Sequence, residues 1–192
     1  MTTYTLNLNS IMQITDDQFY QLCRANPDAK FERNANGEII IVAPTGGETG
    51  NRNFELVVDF GIWNRQAKLG VGFDSSTCFK LPNGAKRSPD IAWIQQARWD
   101  KISPEAQKKF PPIAPDFVLE LMSPSDELDT AQAKMREYIN NGVRLGWLLN
   151  RQAKQVEIYR LQQELEILNT PDRLSNEDVL PGLVLNLKPL WQ

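Results

Sequence analysis

The chain contains no histidine. Histidine is the one side chain that titrates near neutral pH unaided, and it is the commonest general base and metal ligand. Its absence excludes Ser-His-Asp triads, H-E-x-x-H zinc sites and histidine-metal nuclease centres. Cysteine is almost as scarce: Cys23 and Cys78 lie far apart with no C-x-x-C spacing. A structural zinc site is therefore not expected, and both cysteines read as reduced core thiols of a cytoplasmic protein. No run of about 18 apolar residues occurs, so no membrane span is expected. The opening MTTYTLNLNSIMQITDD has neither a basic segment nor a continuous apolar stretch, which predicts no signal peptide. Positive charge is not in excess: the net charge is −3, which argues against a uniformly basic nucleic-acid binder but not against local basic residues. What is left for chemistry is Asp, Glu, Lys, Arg, hydroxyls, and hard cations held by oxygen.

With 192 residues, 41% of them hydrophobic and 23% charged, the chain is long enough to bury one core as a single domain spanning 1–192. Thr15 followed by DDQFYQLCRANPD predicts a capped helix stopped at Asn26-Pro27, burying Phe19, Leu22 and Cys23. FERNANGEIIIVAP reads as a hairpin turning at Asn36-Gly37. A helix is expected from about Asn51 to Lys68, with Phe54, Leu56, Val57, Val58, Ile62 and Trp63 giving a broad apolar face. GGETG before it lacks the Gly-Lys-Ser ending of a phosphate loop and reads as a turn. Short strands follow in VGFDSSTCFKLP and RSPDIAWI, then a polar loop from Gln95 to Pro115 with one short helical turn. DELDTAQAKMREYINNG is a second clear helix ending at Asn141-Gly142, with Ser125 or Asp126 as cap. The strand VRLGWLLN, the hairpin KQVEIYRLQ–QELEILN and the closing GLVLNLKPLW complete a mixed α/β sheet flanked by helices.

The stretch PDFVLELMSPS poses the main question, because a strand apolar on both faces carries Glu120 in its middle. Burying even a neutral polar group without a partner costs on the order of 2–7 kcal/mol. Either Glu120 sits at the strand's open end, or a cation meets it. Alternation puts Val118, Glu120 and Met122 on one face and Phe117, Leu119 and Leu121 on the other. Asp90 opens the strand of RSPDIAWI; if the two strands are neighbours, Asp90 and Glu120 face each other and repel unless a cation lies between them. Mg²⁺ suits such a pair. Helical phase places Ala131, Met135, Tyr138 and Ile139 on the apolar stripe of the second helix, with Lys134 at its edge and Arg136 and Glu137 pointing away. Lys134 could lean over Glu120, either as a plain salt-bridge partner or as a group stabilising charge on a phosphoryl oxygen.

Asp90 after Pro89, with Glu120 thirty residues on, resembles the PD-(D/E)XK nuclease motif. The stretches FERNANGEIIIVAPTGGETGNRN, KRSPDIAWI, PDFVLELMSPSDELDTAQAKMREYINNGVRLGWLLN and LPGLVL are similar to the Uma family, described as "putative restriction endonucleases" and once a domain of unknown function. The resemblance implies a restriction-endonuclease-like fold in which Asp90 and Glu120 hold Mg²⁺, with Mn²⁺ able to substitute. The superfamily lysine belongs two residues after the Glu, where this chain has Met122; the resemblance moves that role to Lys134 on the following helix. Glu48 occupies a place where related nucleases carry a further acidic residue, an outer metal ligand. Asp116 also follows a proline, but four strand residues span roughly 13 Å, too far to share an ion with Glu120. Lys86-Arg87, Arg65 with Lys68, and Lys108-Lys109 could contact phosphates or be ordinary solvated charges.

The expectation is a Mg²⁺-dependent DNA endonuclease acting as a homodimer. The competing reading is an inactive nuclease-fold scaffold that binds nucleic acid or a partner protein. A third is a metal-dependent phosphoesterase acting on a smaller substrate.

Overall fold

A computed structural model of the protein describes residues 3–192. In chain order the elements are β1 (Thr3–Leu6), α1 (Asp16–Ala25), β2 (Lys30–Arg33), β3 (Ile39–Val42), α2 (Gly47–Ala67) and β4 (Gly70–Asp74). There follow β5 (Phe79–Lys80), β6 (Lys86–Arg87), β7 (Ile91–Gln95), α3 (Gln96–Trp99), α4 (Pro104–Gln107) and β8 (Phe117–Leu121). The last third holds α5 (Leu128–Asn140), β9 (Leu145–Asn150), β10 (Gln155–Arg160), β11 (Glu166–Asn169), β12 (Arg173–Ser175) and β13 (Val184–Asn186), closed by a 3-10 turn at Lys188–Trp191.

The central sheet has the order β11-β10-β9-β8-β7-β4. Its middle strands β8 and β9 run parallel and are connected through α5, the crossover that a parallel pair requires. Every other neighbour in this sheet is antiparallel. Phe117, Leu119 and Leu121 face α2, whose Leu56, Phe60 and Trp63 pack on them, with Phe60 stacked on Phe117 at 5.6 Å between ring centres. Val118 and Met122 face α5, beneath Met135 and Tyr138. Burial on both faces explains why β8 is apolar throughout except at Glu120.

A second sheet, ordered β1-β3-β2-β6-β5, stands beside the first. The β2–β3 hairpin turns at Asn36-Gly37 as the sequence predicts; Gly37 takes φ +85°, a region open to glycine at no steric cost. Arg33 pairs with Lys86 across β2 and β6, and side-chain alternation then sends Glu32 and Arg87 to the opposite face. Arg33, Lys80 and Lys86 converge on Asp16 at the start of α1, at 2.5, 2.5 and 2.6 Å. α1 is capped by Thr15, whose side chain accepts from Gln18 N while Gln18 Oε1 accepts from Thr15 N.

Several expectations are corrected. α2 begins at Gly47, so GGETG supplies its N-cap and first turn rather than a separate turn. Its apolar residues fall on two sides: Leu56 and Trp63 enter the core with Phe60, while Phe54, Val58 and Ile62 are exposed. The stretch from Gln95 to Pro115 forms two short helices. The N-cap of α5 is Glu127; Asp126 instead accepts from Ser123 N and closes the turn before it. Lys86 and Arg87 are buried ion-pair partners, not solvated charges. Cys23 and Cys78 are free thiols, as expected, with Cys23 half-buried and Cys78 buried; burial pushes Cys78 up to about 12.

β4 holds β7 in place along the edge of the central sheet. A Cβ on Gly70 would sit 2.3 Å from the carbonyl oxygen of Ile94 and 2.5 Å from the Trp93 ring, a backbone clash that no rotamer relieves. Gly70→Ala is expected to cost roughly 2 kcal/mol, read as a lower thermal midpoint in scanning calorimetry; an unchanged midpoint would show that the edge pairing yields freely.

Candidate active site

The functional side chains gather where the two sheets approach each other. Ile91 pairs with Leu119 in the antiparallel β7–β8 ladder, so the start of β7 lies beside the end of β8. That register brings Asp90 next to Glu120, at the carboxyl end of a parallel strand, where open α/β sheets place their sites. Asp90 Oδ2 accepts from Leu121 N at 2.8 Å, which locks its orientation. Glu120 Oε1 accepts from Tyr138 Oη at 2.9 Å and lies 2.8 Å from Lys134 Nζ. Both Lys134 and Tyr138 come from α5, one turn apart, so the helix delivers them to one carboxylate. Asp90, Glu120 and Lys134 line a cleft of about 600 Å³ between α5 and the wall formed by β1, β2 and β3.

The cleft contains a residue that the sequence does not announce. Glu32 of β2 is only 3% exposed and accepts from Arg87 at 3.0 Å, Ser88 N at 3.0 Å and Lys134 Nζ at 3.1 Å. In FERNANG it looks like one polar position of an alternating hairpin strand. Its weight appears only when β2 is set against β6 and α5, a long-range pairing that no local pattern encodes. Glu137, expected to point away, instead accepts from Arg87 Nε at 2.6 Å and also lines the cleft.

Electrostatics separate the two glutamates. Burial pushes Glu32 upward, yet Lys134 and Arg87 overcome it and hold its carboxyl down to about 2. Burial also pushes Glu120 upward, and there it prevails: Lys134 lowers its pKa, but Asp90 and Glu32 add repulsion and the net shift is up. Burial works against the charge on Lys134, but Glu120 and Glu32 raise its pKa above the ordinary value. The cleft thus holds more carboxylates, Glu32, Asp90, Glu120 and Glu137 among them, than its three cations, Lys30, Arg87 and Lys134, can neutralise.

That imbalance fits a hard divalent cation, and so does the donor set. Asp90 and Glu120 each have one oxygen fixed by the protein, while no protein donor among the described residues bonds Asp90 Oδ1 or Glu120 Oε2. Two carboxylates with water and phosphate completing the shell is a usual arrangement for Mg²⁺. Among the described residues no three Asp, Glu or Cys side chains form a complete ligand set by themselves. Glu48 is not brought into the cleft; it is exposed and paired with Arg151 at 2.5 Å. Asp116 is fully buried elsewhere, accepting from Gln95 N and paired with Arg98 and Arg144, a structural anchor.

A mixed α/β sheet flanked by helices, with an acidic cleft at the end of its parallel strand, defines a restriction-endonuclease-like domain. The crystal structure of a putative nuclease belonging to DUF820 from Anabaena variabilis ATCC 29413 has the same fold: TM-score 0.71, 23% identity, covering 85% of this chain and 90% of that one. The sequence profile of the Uma2 family, described as "Putative restriction endonuclease", matches residues 16–188, and the chain belongs to that family. No curated protein matches it.

The two glutamates carry opposite pH signatures. A depressed pKa means that Glu32 adds stability fully present above its ordinary 4.5 and lost as pH falls toward about 2. A raised pKa means that Glu120 is more at ease protonated in the folded state, so its ionisation costs stability as pH rises above 4.5. At pH 7 and without divalent cations, Glu32→Gln is expected to lower stability by on the order of 3 kcal/mol, whereas Glu120→Gln raises the thermal midpoint. A lower midpoint for Glu120→Gln in the same calorimetric scans contradicts this assignment.

Proposed function

We propose that this protein is a Mg²⁺-dependent DNA endonuclease in which Asp90 and Glu120 hold the metal and Lys134 stabilises developing charge. The observation that carries the reading is the adjacency of Asp90 and Glu120 at the end of β8 in a cleft with uncompensated negative charge. Family membership supports it. Mn²⁺ is expected to substitute for Mg²⁺. When bound, the cation supplies Lewis acidity toward water and the scissile phosphate.

The remaining work falls to side chains of the chain. Leu121 N orients Asp90, and Tyr138 orients Glu120. Lys134 Nζ offers a fixed positive charge to a non-bridging phosphoryl oxygen, in a mostly buried setting where such a charge counts for more than in water. Met122, at the position two residues beyond Glu120, has no charge to offer, so the helix-borne lysine takes that part. Water adds to phosphorus and the bond to the leaving oxygen breaks, leaving a phosphate and a hydroxyl at the two new ends. Cutting both strands of a duplex needs two such sites, which makes a homodimer part of the proposal. No helix among the described residues is long and apolar enough to cross a membrane, and a cytoplasmic location suits the free thiols.

A scaffold reading has one observation in its favour: Lys134 already neutralises Glu120 without any cation. Cleavage of supercoiled plasmid separates the two. The wild type is expected to nick plasmid in Mg²⁺ and not in chelator; Asp90→Ala abolishes nicking, and Lys134→Met slows it about 100-fold. Nicking that survives Asp90→Ala, Glu120→Ala and Lys134→Met alike sinks the proposal. A wild type inert on plasmid, single strands and RNA hands the cleft to the scaffold reading.

A further inference from the structure

We propose that Glu32 is the positioning residue for Lys134, holding its ammonium group at the floor of the cleft when Glu120 is committed to a cation. This inference rests on the reading of Asp90 and Glu120 as the cation-binding pair. Lys134 Nζ lies between two carboxylates, 2.8 Å from Glu120 and 3.1 Å from Glu32. The two contacts do different things. A divalent cation on Glu120 takes over that carboxylate's charge and repels the ammonium beside it. A lysine on a flexible four-carbon stem then swings out to water unless a second anion holds it. Among the described residues Glu32 is the one other carboxylate within ion-pairing distance of Lys134.

Glu32 is built to stay where it is. Its Oε1 accepts from Ser88 N at 3.0 Å and its Oε2 pairs with Arg87 at 3.0 Å. Arg87 is in turn held by Glu137 at 2.6 Å, three residues beyond Lys134 on α5. Lys134, Glu32, Arg87 and Glu137 therefore form a closed chain of alternating charges that leaves α5 at one residue and returns to it at another. Glu32 keeps its place through β2, β6 and α5 without using Glu120.

The test is a double-mutant cycle with Glu32→Gln and Lys134→Met, singly and together, on plasmid in Mg²⁺. Glu32→Gln is expected to lower kcat about 10- to 100-fold, with KM and the calorimetric affinity for Mn²⁺ unchanged. The double variant is expected to be no slower than Lys134→Met alone, because Glu32 acts through Lys134. Losses that multiply in the double variant overturn the proposal, as does a Glu32→Gln protein that turns over at the wild-type rate. If the wild type cleaves nothing, the nuclease reading has failed and the coupling is measured apart from it. In cation-free Glu120→Gln protein, where Glu32 is the remaining carboxylate on Lys134, adding Glu32→Gln should then move the Lys134 ¹³Cε resonance toward that of solvated lysines; an unmoved resonance overturns the positioning role. Glu32→Gln/Arg87→Met, which removes both partners of the buried pair, gives a folded background should Glu32→Gln alone not hold its structure.

Discussion

Lys134 sits between Glu120 and Glu32, and much of the molecule is arranged to keep it there. A buried carboxylate needs a cation, and a buried ammonium needs an anion. Three separate elements are brought to one point to meet those needs: β8 of the central sheet, β2 of the second sheet and α5 between them. The second sheet is too short-stranded to be held by ladder bonds alone; the β2–β6 contact is a single residue pair. Charge fills the gap on both faces, with Asp16 gathering three cations on one side and Glu32 joining Arg87 and Lys134 on the other. The Asp16 and Glu32–Arg87 pairs tie strands of the second sheet together, and Lys134 and Glu137 of α5 join that sheet to the central one along the cleft.

The apolar core serves the same end. Phe60 and Trp63 of α2 and the C-terminal leucines clamp the Phe117–Leu121 strand from one face, and Met135 and Tyr138 clamp it from the other. A strand held this firmly can carry one misfit side chain at its end. Glu120 is that side chain: its burial is unfavourable to its charge, and a site that binds a cation gains from the mismatch because the metal relieves it. Strain of this kind, tolerated because the surroundings determine the position, is the usual mark of a functional residue.

The central part of this design is legible in the primary structure. An acidic residue in an apolar strand, a second at the start of a neighbouring one and a lysine at the edge of a helical stripe are all local patterns. They lead to Asp90, Glu120 and Lys134, which do line one cleft. What local patterns do not contain is the second sheet's approach. Glu32 and Arg87 sit in stretches, FERNANG and KRSPD, that look like ordinary polar strand residues. Glu137 falls on the nominal outer side of α5, yet Arg87 covers that side. The exposed Phe54, Val58 and Ile62 illustrate the reverse error, apolar residues whose spacing suits a helix but not this helix's buried side. Glu48 looked like a ligand by its place in the chain, while the fold gives it to Arg151.

The proposed chemistry needs a divalent cation between Asp90 and Glu120. Paramagnetic broadening by substoichiometric Mn²⁺ in the amide spectrum of the isotope-labelled protein tests this most directly. The signals of Leu121, whose N–H binds Asp90, and of Ile91 beside it should vanish first, and those around Glu48 should persist. Broadening centred on Glu48, or spread over the surface with Leu121 and Ile91 untouched, would contradict it.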